Sequence, residues 1–179
     1  ANFYEAVKQG LGVIQREYLE PLPIKVPKKA DRPISLEERY DIRPLTRPHY
    51  VTEERMLSMD TLTSEAFNGR IFNAFHVNDN RGRIANIALP SYSLDGSIKN
   101  YTLFNRPYRD RKDGRVKKFR LFLNERYEFL FVSDPEIRPE KMVVVESGFD
   151  ALAYHELQGC PKNFYISMSG HIDHKKLEQ

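Results

Sequence analysis

Cysteine is almost absent from this chain: Cys160 stands alone among 179 residues, which excludes an internal disulfide framework and a cysteine-based zinc site built from these residues. A reducing, cytoplasmic setting is the expectation. Long apolar runs are lacking as well. Although 40% of the residues are apolar and 30% charged, no stretch approaches the roughly 18 consecutive apolar residues of a membrane span, so no membrane partner is expected. The first residues, Ala1-Asn2-Phe3-Tyr4-Glu5, lack both an initiator Met and a signal pattern, and whatever preceded Ala1 is expected to have been removed. No internal repeat or low-complexity tract appears. Excess charge of one sign is small too: 28 Lys and Arg against 25 Asp and Glu leave a net charge of +3 and a pI of about 8.9, which permits a polyanionic partner without arguing for one.

What the chain does have is a change of pattern along its length. Asn2 with Glu5 looks like a helix start, and Val7, Leu11, Ile14 and Tyr18 recur at helical spacing, so a helix is expected to about Leu19. Pro21, Pro23, Pro27 and Pro33, with Lys25, Lys28, Lys29 and Arg32 between them, form a linker or a surface strap. Ser35 with Glu38 repeats the capping-box pattern, and Pro44 and Pro48 are expected to close that short helix before another begins near Tyr50. The stretch up to Phe67 reads as a helical hairpin. From Gly69 onward, short runs at 71–77, 83–89 and 98–104 are separated by Asn80-Arg81-Gly82 and Leu94-Asp95-Gly96, the turn signals of antiparallel strands. The segment 120–132, interrupted by Asn124-Glu125-Arg126, reads as two strands or as one strand with a bulge.

Met142-Val143-Val144-Val145 is a continuous run of the kind that a parallel strand buried on both faces displays. Phe149, Leu152, Ala153 and Leu157 share one helical face, Gly159 ends that helix, and 164–168 forms the next strand, which completes a βαβ unit. The fold class expected is α+β: helices at the N-terminus, an antiparallel sheet in the centre and an α/β unit at the C-terminus. The domain division is 1–49, 50–140 and 141–179.

Two places carry candidate chemistry. In Val145-Glu146-Ser147-Gly148-Phe149-Asp150 a buried strand delivers Glu146 to its C-terminal end and the chain turns into a helix, where ligands bind in open α/β sheets. Gly148 would let the turn approach a phosphate or a metal, while Asp150, at the helix start, can serve a ligand or simply cap amides. Glu146 can equally be a strand-end glutamate in a salt bridge. The second place is the basic strip of Arg106, Arg109, Arg111, Lys112, Arg115, Lys117, Lys118 and Arg120, diluted by Asp110 and Asp113 and interleaved with Tyr108 and Phe119. Cations there can neutralise phosphates while aromatics stack on bases; the competing reading is a solvated loop turning at Asp113-Gly114. The alternation of arginines with aromatics favours nucleic acid. His171, Asp173 and His174 have metal-ligand spacing but read better as a loop with Asp173 as a helix cap. His155 is expected to be an exposed or partly buried polar residue and Cys160 an inert core thiol.

The run from Val143 through Glu146, Ser147, Gly148 and Asp150 to Leu152 resembles the opening of a toprim domain, the module of bacterial-type primases, topoisomerases and some nucleases. The family more often has Gly directly after the glutamate. The Glu-Ser form looks like the branch found in mobile-element primase and mobilisation proteins. Ile166-Ser167-Met168-Ser169-Gly170 is similar to the second toprim strand and its glycine-ended turn. Upstream, Arg55-Met56-Leu57-Ser58 with Phe67 and Gly69-Arg70-Ile71 resembles the pattern preceding the primase core, with Met56 where that pattern has glycine. Ala88-Leu89-Pro90 and Asp95-Gly96 resemble the elements that follow, and Arg106 falls where the family places a basic residue facing the template groove.

The resemblance implies a C-terminal unit that is the first half of a toprim-like domain. Glu146 would be its general base or metal carboxylate, and Glu146 with Asp150 would contribute to a magnesium site. The third-strand Asp-x-Asp pair that completes this site in the family is not found before Gln179, so magnesium is expected to be held weakly by these residues and the piece to be inactive alone. The parent activity implied is a nucleotidyltransferase that makes primers on single-stranded DNA from nucleotides, during replication or mobilisation. Two rivals stand beside it: a DNA-binding mobilisation module with a degenerate toprim unit, and toprim-type DNA cleavage of the nuclease or topoisomerase kind. An open sheet edge would also favour self-association.

Overall fold

A computed structural model describes residues 36–79, 84–124, 129–134, 138–159 and 162–169. The chain divides into two compact units, 1–32 and 33–179. The first unit, with the expected N-terminal helix and Pro/Lys strap, lies outside the described residues, as do Asn80-Arg81-Gly82, Cys160 and the 170–179 segment.

The second unit is α+β and contains two sheets. Its elements in order are α1 (Leu36–Arg39), β1 (Tyr40–Pro44), a π-helical turn (Tyr50–Glu54), α2 (Met59–Thr63), β2 (Phe72–His76), β3 (Asn86–Tyr92), β4 (Ile98–Arg109), β5 (Val116–Phe122), β6 (Phe131–Val132), β7 (Lys141–Val145), α3 (Gly148–Gln158) and β8 (Asn163–Ser167). Strands β1 to β5 form one antiparallel meander in chain order. The smaller sheet runs β6-β8-β7, with β7 and β8 parallel and β6 antiparallel to β8. Among the described residues no helix is long and apolar enough to cross a membrane.

Local chemistry accounts for most boundaries. Gly96 and Gly114 take φ of 77° and 67° in the β3–β4 and β4–β5 turns, a region that favours glycine. Helix α3 starts on a capping box, in which Ser147 Oγ accepts from Asp150 N while an Asp150 oxygen accepts from Ser147 N, and it ends at Gly159 in a left-handed conformation. The expected helix closed by Pro44 stops instead at Arg39, and 40–44 pairs with β2 as an edge strand. Proline is compatible with that edge, because its missing N–H is not required by an inner neighbour. The expected helical hairpin to Phe67 is two short turns, interrupted where Met56 takes φ of 57°. The segment 120–132 divides between the sheets, ending β5 and supplying β6.

The main core lies between one face of the meander and the smaller sheet with α3. Ile87, Leu89 and Phe104 meet Phe131, Phe149, Leu152 and Tyr165 there, with Val51 and Phe67 from the helical turns. The Tyr92 amide donates to Leu130 O at 2.7 Å, which ties β3 to the approach to β6. Burial on both faces of β7 does not occur: Val143 and Val145 pack toward the core, whereas Met142 and Val144 are 64% and 60% exposed. The α3 face also differs, since Leu157 is 82% exposed and the buried positions are Gly148, Phe149, Ala151, Leu152 and His155. His155 is thus a core residue rather than an exposed one. Its Nδ1 lies 3.1 Å from the Tyr165 hydroxyl, which Asn163 Nδ2 also approaches at 3.3 Å.

Buried asparagines hold the meander. Asn73 Oδ1 accepts from Thr46 N and Arg47 N, both at 2.8 Å, and its Nδ2 donates to Arg47 O at 3.1 Å. Asn86 Nδ2 donates to Ala74 O at 3.1 Å, and Asn105 Nδ2 donates to Asn86 Oδ1 at 2.9 Å. These groups satisfy loop and strand amides that would otherwise be desolvated without partners.

Candidate functional site

Strand β7 delivers Glu146 to its C-terminal end beside the end of β8, and the chain turns there through Ser147 and Gly148 into α3. The Glu146 carboxylate is exposed and has no hydrogen-bond or ion-pair partner among the described residues, so the salt-bridged strand end is not what forms. Its backbone carbonyl accepts from Ser167 Oγ at 3.3 Å, which fixes the two strand ends together.

Asp150 is placed differently. Its Oδ2 accepts from Ser147 N at 2.9 Å and from Ser147 Oγ at 2.8 Å, so one oxygen is committed to the helix cap. Gly148 is needed for close approach, though not to a ligand: a Cβ there would lie 2.7 Å from Leu89 Cδ1 and 3.2 Å from Phe131 Cδ1. Among the described residues no three His, Cys, Asp or Glu side chains come together in a metal-holding group. The donors at this turn are therefore one free carboxylate and one partly engaged one. His171, Asp173 and His174 lie outside the described residues.

A small cleft opens next to the turn, between the meander and the ends of β7 and β8. Ser147, Gly148 and Ser169 line one side, and Thr102, Phe104 and Arg120 the other. Arg120 Nη2 donates to Ser169 O at 2.8 Å, and its guanidinium sits 4.9 Å from the Phe122 ring centroid. Ser169 has φ of 54°, an uncommon conformation for a residue with a side chain. Thr102, Phe104 and Ser169 were not expected as cleft residues. Thr102 and Phe104 lie on β4 and Ser169 follows β8 much later in the chain, and no local pattern marks such a convergence.

The basic strip becomes the β4–β5 hairpin, and its eight cations separate into two groups. Arg106 is paired with Glu53 and, at 3.0 Å, with Glu54 of the π-helical turn. Arg109 Nη1 donates to Gly114 O at 2.9 Å, Lys117 pairs with Asp110 and with Asp113 at 3.1 Å, and Arg120 holds Ser169. The Lys117 ammonium and the Lys112 amide hold the Asp110 carboxyl below its ordinary value, and the same pairing with Asp110 raises Lys117. Arg111, Lys112, Arg115 and Lys118, by contrast, have no side-chain partner among the described residues. Phe119 packs at the edge of a second core cluster, formed by Ala74, Ala88, Tyr101, Leu103 and Leu123, which leaves Tyr108, 49% exposed, as the free ring of the strip.

Comparison of the chain with protein-family models, with curated proteins and with solved structures finds no match.

Proposed function

We propose that this chain belongs to a toprim-type, primase-like protein that acts on single-stranded DNA, with Glu146 as general base or metal carboxylate and the β4–β5 hairpin as its DNA-binding arm. The observation that carries the reading is the free, exposed Glu146 carboxylate at the C-terminal end of a parallel strand, beside the turn into α3. Met56 adds support, because its φ of 57° falls at a position where the resemblance leads one to look for glycine.

Magnesium fits the donors present. It is a hard cation that keeps several waters and takes one or two carboxylates with substrate phosphates. Glu146 would hold it, with the Asp150 oxygen not needed by the cap as the second donor. When bound, the ion would polarise nucleotide phosphates and the attacking hydroxyl. Glu146, having no partner to hold it, can also accept a proton from that hydroxyl.

A second reading, a DNA-binding module without catalysis, is favoured by one observation: the cap already engages Asp150. Both readings are tested by titrating the protein with a nucleoside triphosphate, with and without magnesium, and separately with a single-stranded oligonucleotide. The primase-like reading expects Glu146→Gln to abolish magnesium-dependent nucleotide binding while DNA affinity stays within about twofold. Unchanged nucleotide binding in that variant would leave the binding module.

A further inference from the structure

The geometry points to the β4–β5 hairpin as a β-ribbon that enters the major groove of duplex DNA beside the single strand; this rests on the DNA-handling reading above and narrows the role of its DNA-binding arm to the duplex. Strand β4 is 12 residues long, yet its register with β3 ends at Phe104 opposite Ile87. From Arg106 to Arg109, across a bulge between Asn105 and Tyr108, β5 is the one strand beside it among the described residues, with Tyr108 opposite Lys117 and Arg109 opposite Val116. At about 3.3 Å per residue the three β5 residues alongside, 116–118, carry the ribbon roughly 10 Å past the third strand before its turn begins. Every residue from 106 to 118 is exposed except Asp110, which is intermediate. Beyond Arg106, which Glu53 and Glu54 hold at the base, the ribbon stands in solvent.

An isolated two-stranded hairpin is marginal in water, but this one is internally braced. Asp110 Oδ1 accepts from Lys112 N at 2.8 Å, Asp113 Oδ1 accepts from Arg115 N at 3.0 Å, and Asp110 N donates to Arg115 O at 2.8 Å. Lys117 bridges both acids. The brace thus offsets one of the two acid charges and leaves Arg111, Lys112 and Arg115 unpaired at the turn, with Lys118 on the flank, so cations outnumber acids along the hairpin.

The shape decides between nucleic-acid forms. A groove for single strands needs successive exposed rings on which bases stack, and the ribbon offers only Tyr108. Cations at the tip of a narrow projection instead match the two phosphate walls of a groove. The major groove of B-form DNA, about 12 Å wide, admits a two-stranded ribbon, whereas the minor groove, about 6 Å wide, does not. Phosphate contacts from the three tip residues would set its depth and register without reading sequence.

The test is anisotropy titration of a labelled 20-base-pair duplex and of its single strand, over a salt series, with the protein and with its R111A/K112A/R115A variant. A thermal melt confirms that the variant folds. The inference expects duplex affinity to fall roughly 10- to 100-fold and the salt slope to drop by about 2 to 3, while single-strand affinity changes less than about twofold. It also expects the protein, but not the variant, to shield guanine N7 in the duplex from dimethyl sulfate. Equal losses on both probes, or no N7 shielding, would overturn the ribbon. Binding to the single strand alone would overturn it and leave the proposed function standing. Binding to neither probe at low salt would remove both.

Discussion

The two sheets are held by different means. In the meander, strands adjacent in sequence are adjacent in space, and buried asparagines bond to the backbone of loops and neighbouring strands. In the smaller sheet the parallel strands meet only after α3 has crossed between them, and packing around Gly148, Phe131 and Tyr165 secures the arrangement. The first sheet carries its asparagine hydrogen bonds out to the loops, while the second keeps its own, such as those to the Tyr165 hydroxyl, inside a packed core. Each presents its unpaired charge where its own mode of support ends, the cations beyond the last three-stranded pairing and the carboxylate beyond the last parallel pairing.

The largest test of that contrast is Asn73→Ala. It removes partners from the Thr46 and Arg47 amides and from Arg47 O, and it is expected to cost about 3 kcal/mol in urea unfolding. A loss under about 1 kcal/mol would mean that packing, not side-chain hydrogen bonding, holds the meander. Gly148→Ala comes next. It brings a methyl against Leu89 and Phe131 at the junction of the sheets and is expected to cost about 1 to 2 kcal/mol, with chemical-shift changes centred on those two residues.

Acid gives the smallest and most local effect. The Ser93 and Ser97 hydroxyls and the Ser97 amide hold Asp95 well below the ordinary carboxylate range, and Lys117 with the Lys112 amide lowers Asp110. Because both folded values are depressed, the stabilisation is present above the ordinary aspartate value and is lost as pH falls through the folded ones. Between about pH 5 and about pH 2 the two meander turns should loosen first. Amide exchange at Gly96 and Gly114, whose N–H groups donate to Ser93 O and Asp110 O, should rise relative to the Tyr165 amide of the smaller sheet. Uniform loosening of both sheets would erase the distinction.

Turn chemistry made the meander legible. Asp95-Gly96 marks one hairpin as expected, whereas Asp113-Gly114, read as the turn of a solvated loop, closes the β4–β5 hairpin; glycine takes positive φ at both. The βαβ order and the place of Glu146 were legible for a related reason, since a β-branched run ending in Glu-Ser-Gly leaves a helix little room to start elsewhere. Strand β1 was hidden because Pro44 looks like a helix stop, and only its pairing with β2 shows an edge strand. The exposure of Met142, Val144 and Leu157 escaped because periodicity reports which residues are apolar, not whether anything covers them. The division of the basic strip was hidden most deeply: Arg106 is neutralised by Glu53, which lies 53 residues earlier in the chain, and no local window contains both.

The hairpin's projection carries one more implication. No residue from 106 to 118 belongs to either core cluster or packs at its margin, so the length and chemistry of this arm can drift over generations with little effect on the body that carries it. Descendants of the same scaffold could gain, shorten or recharge the arm while keeping the asparagine framework and the Glu146 turn unchanged.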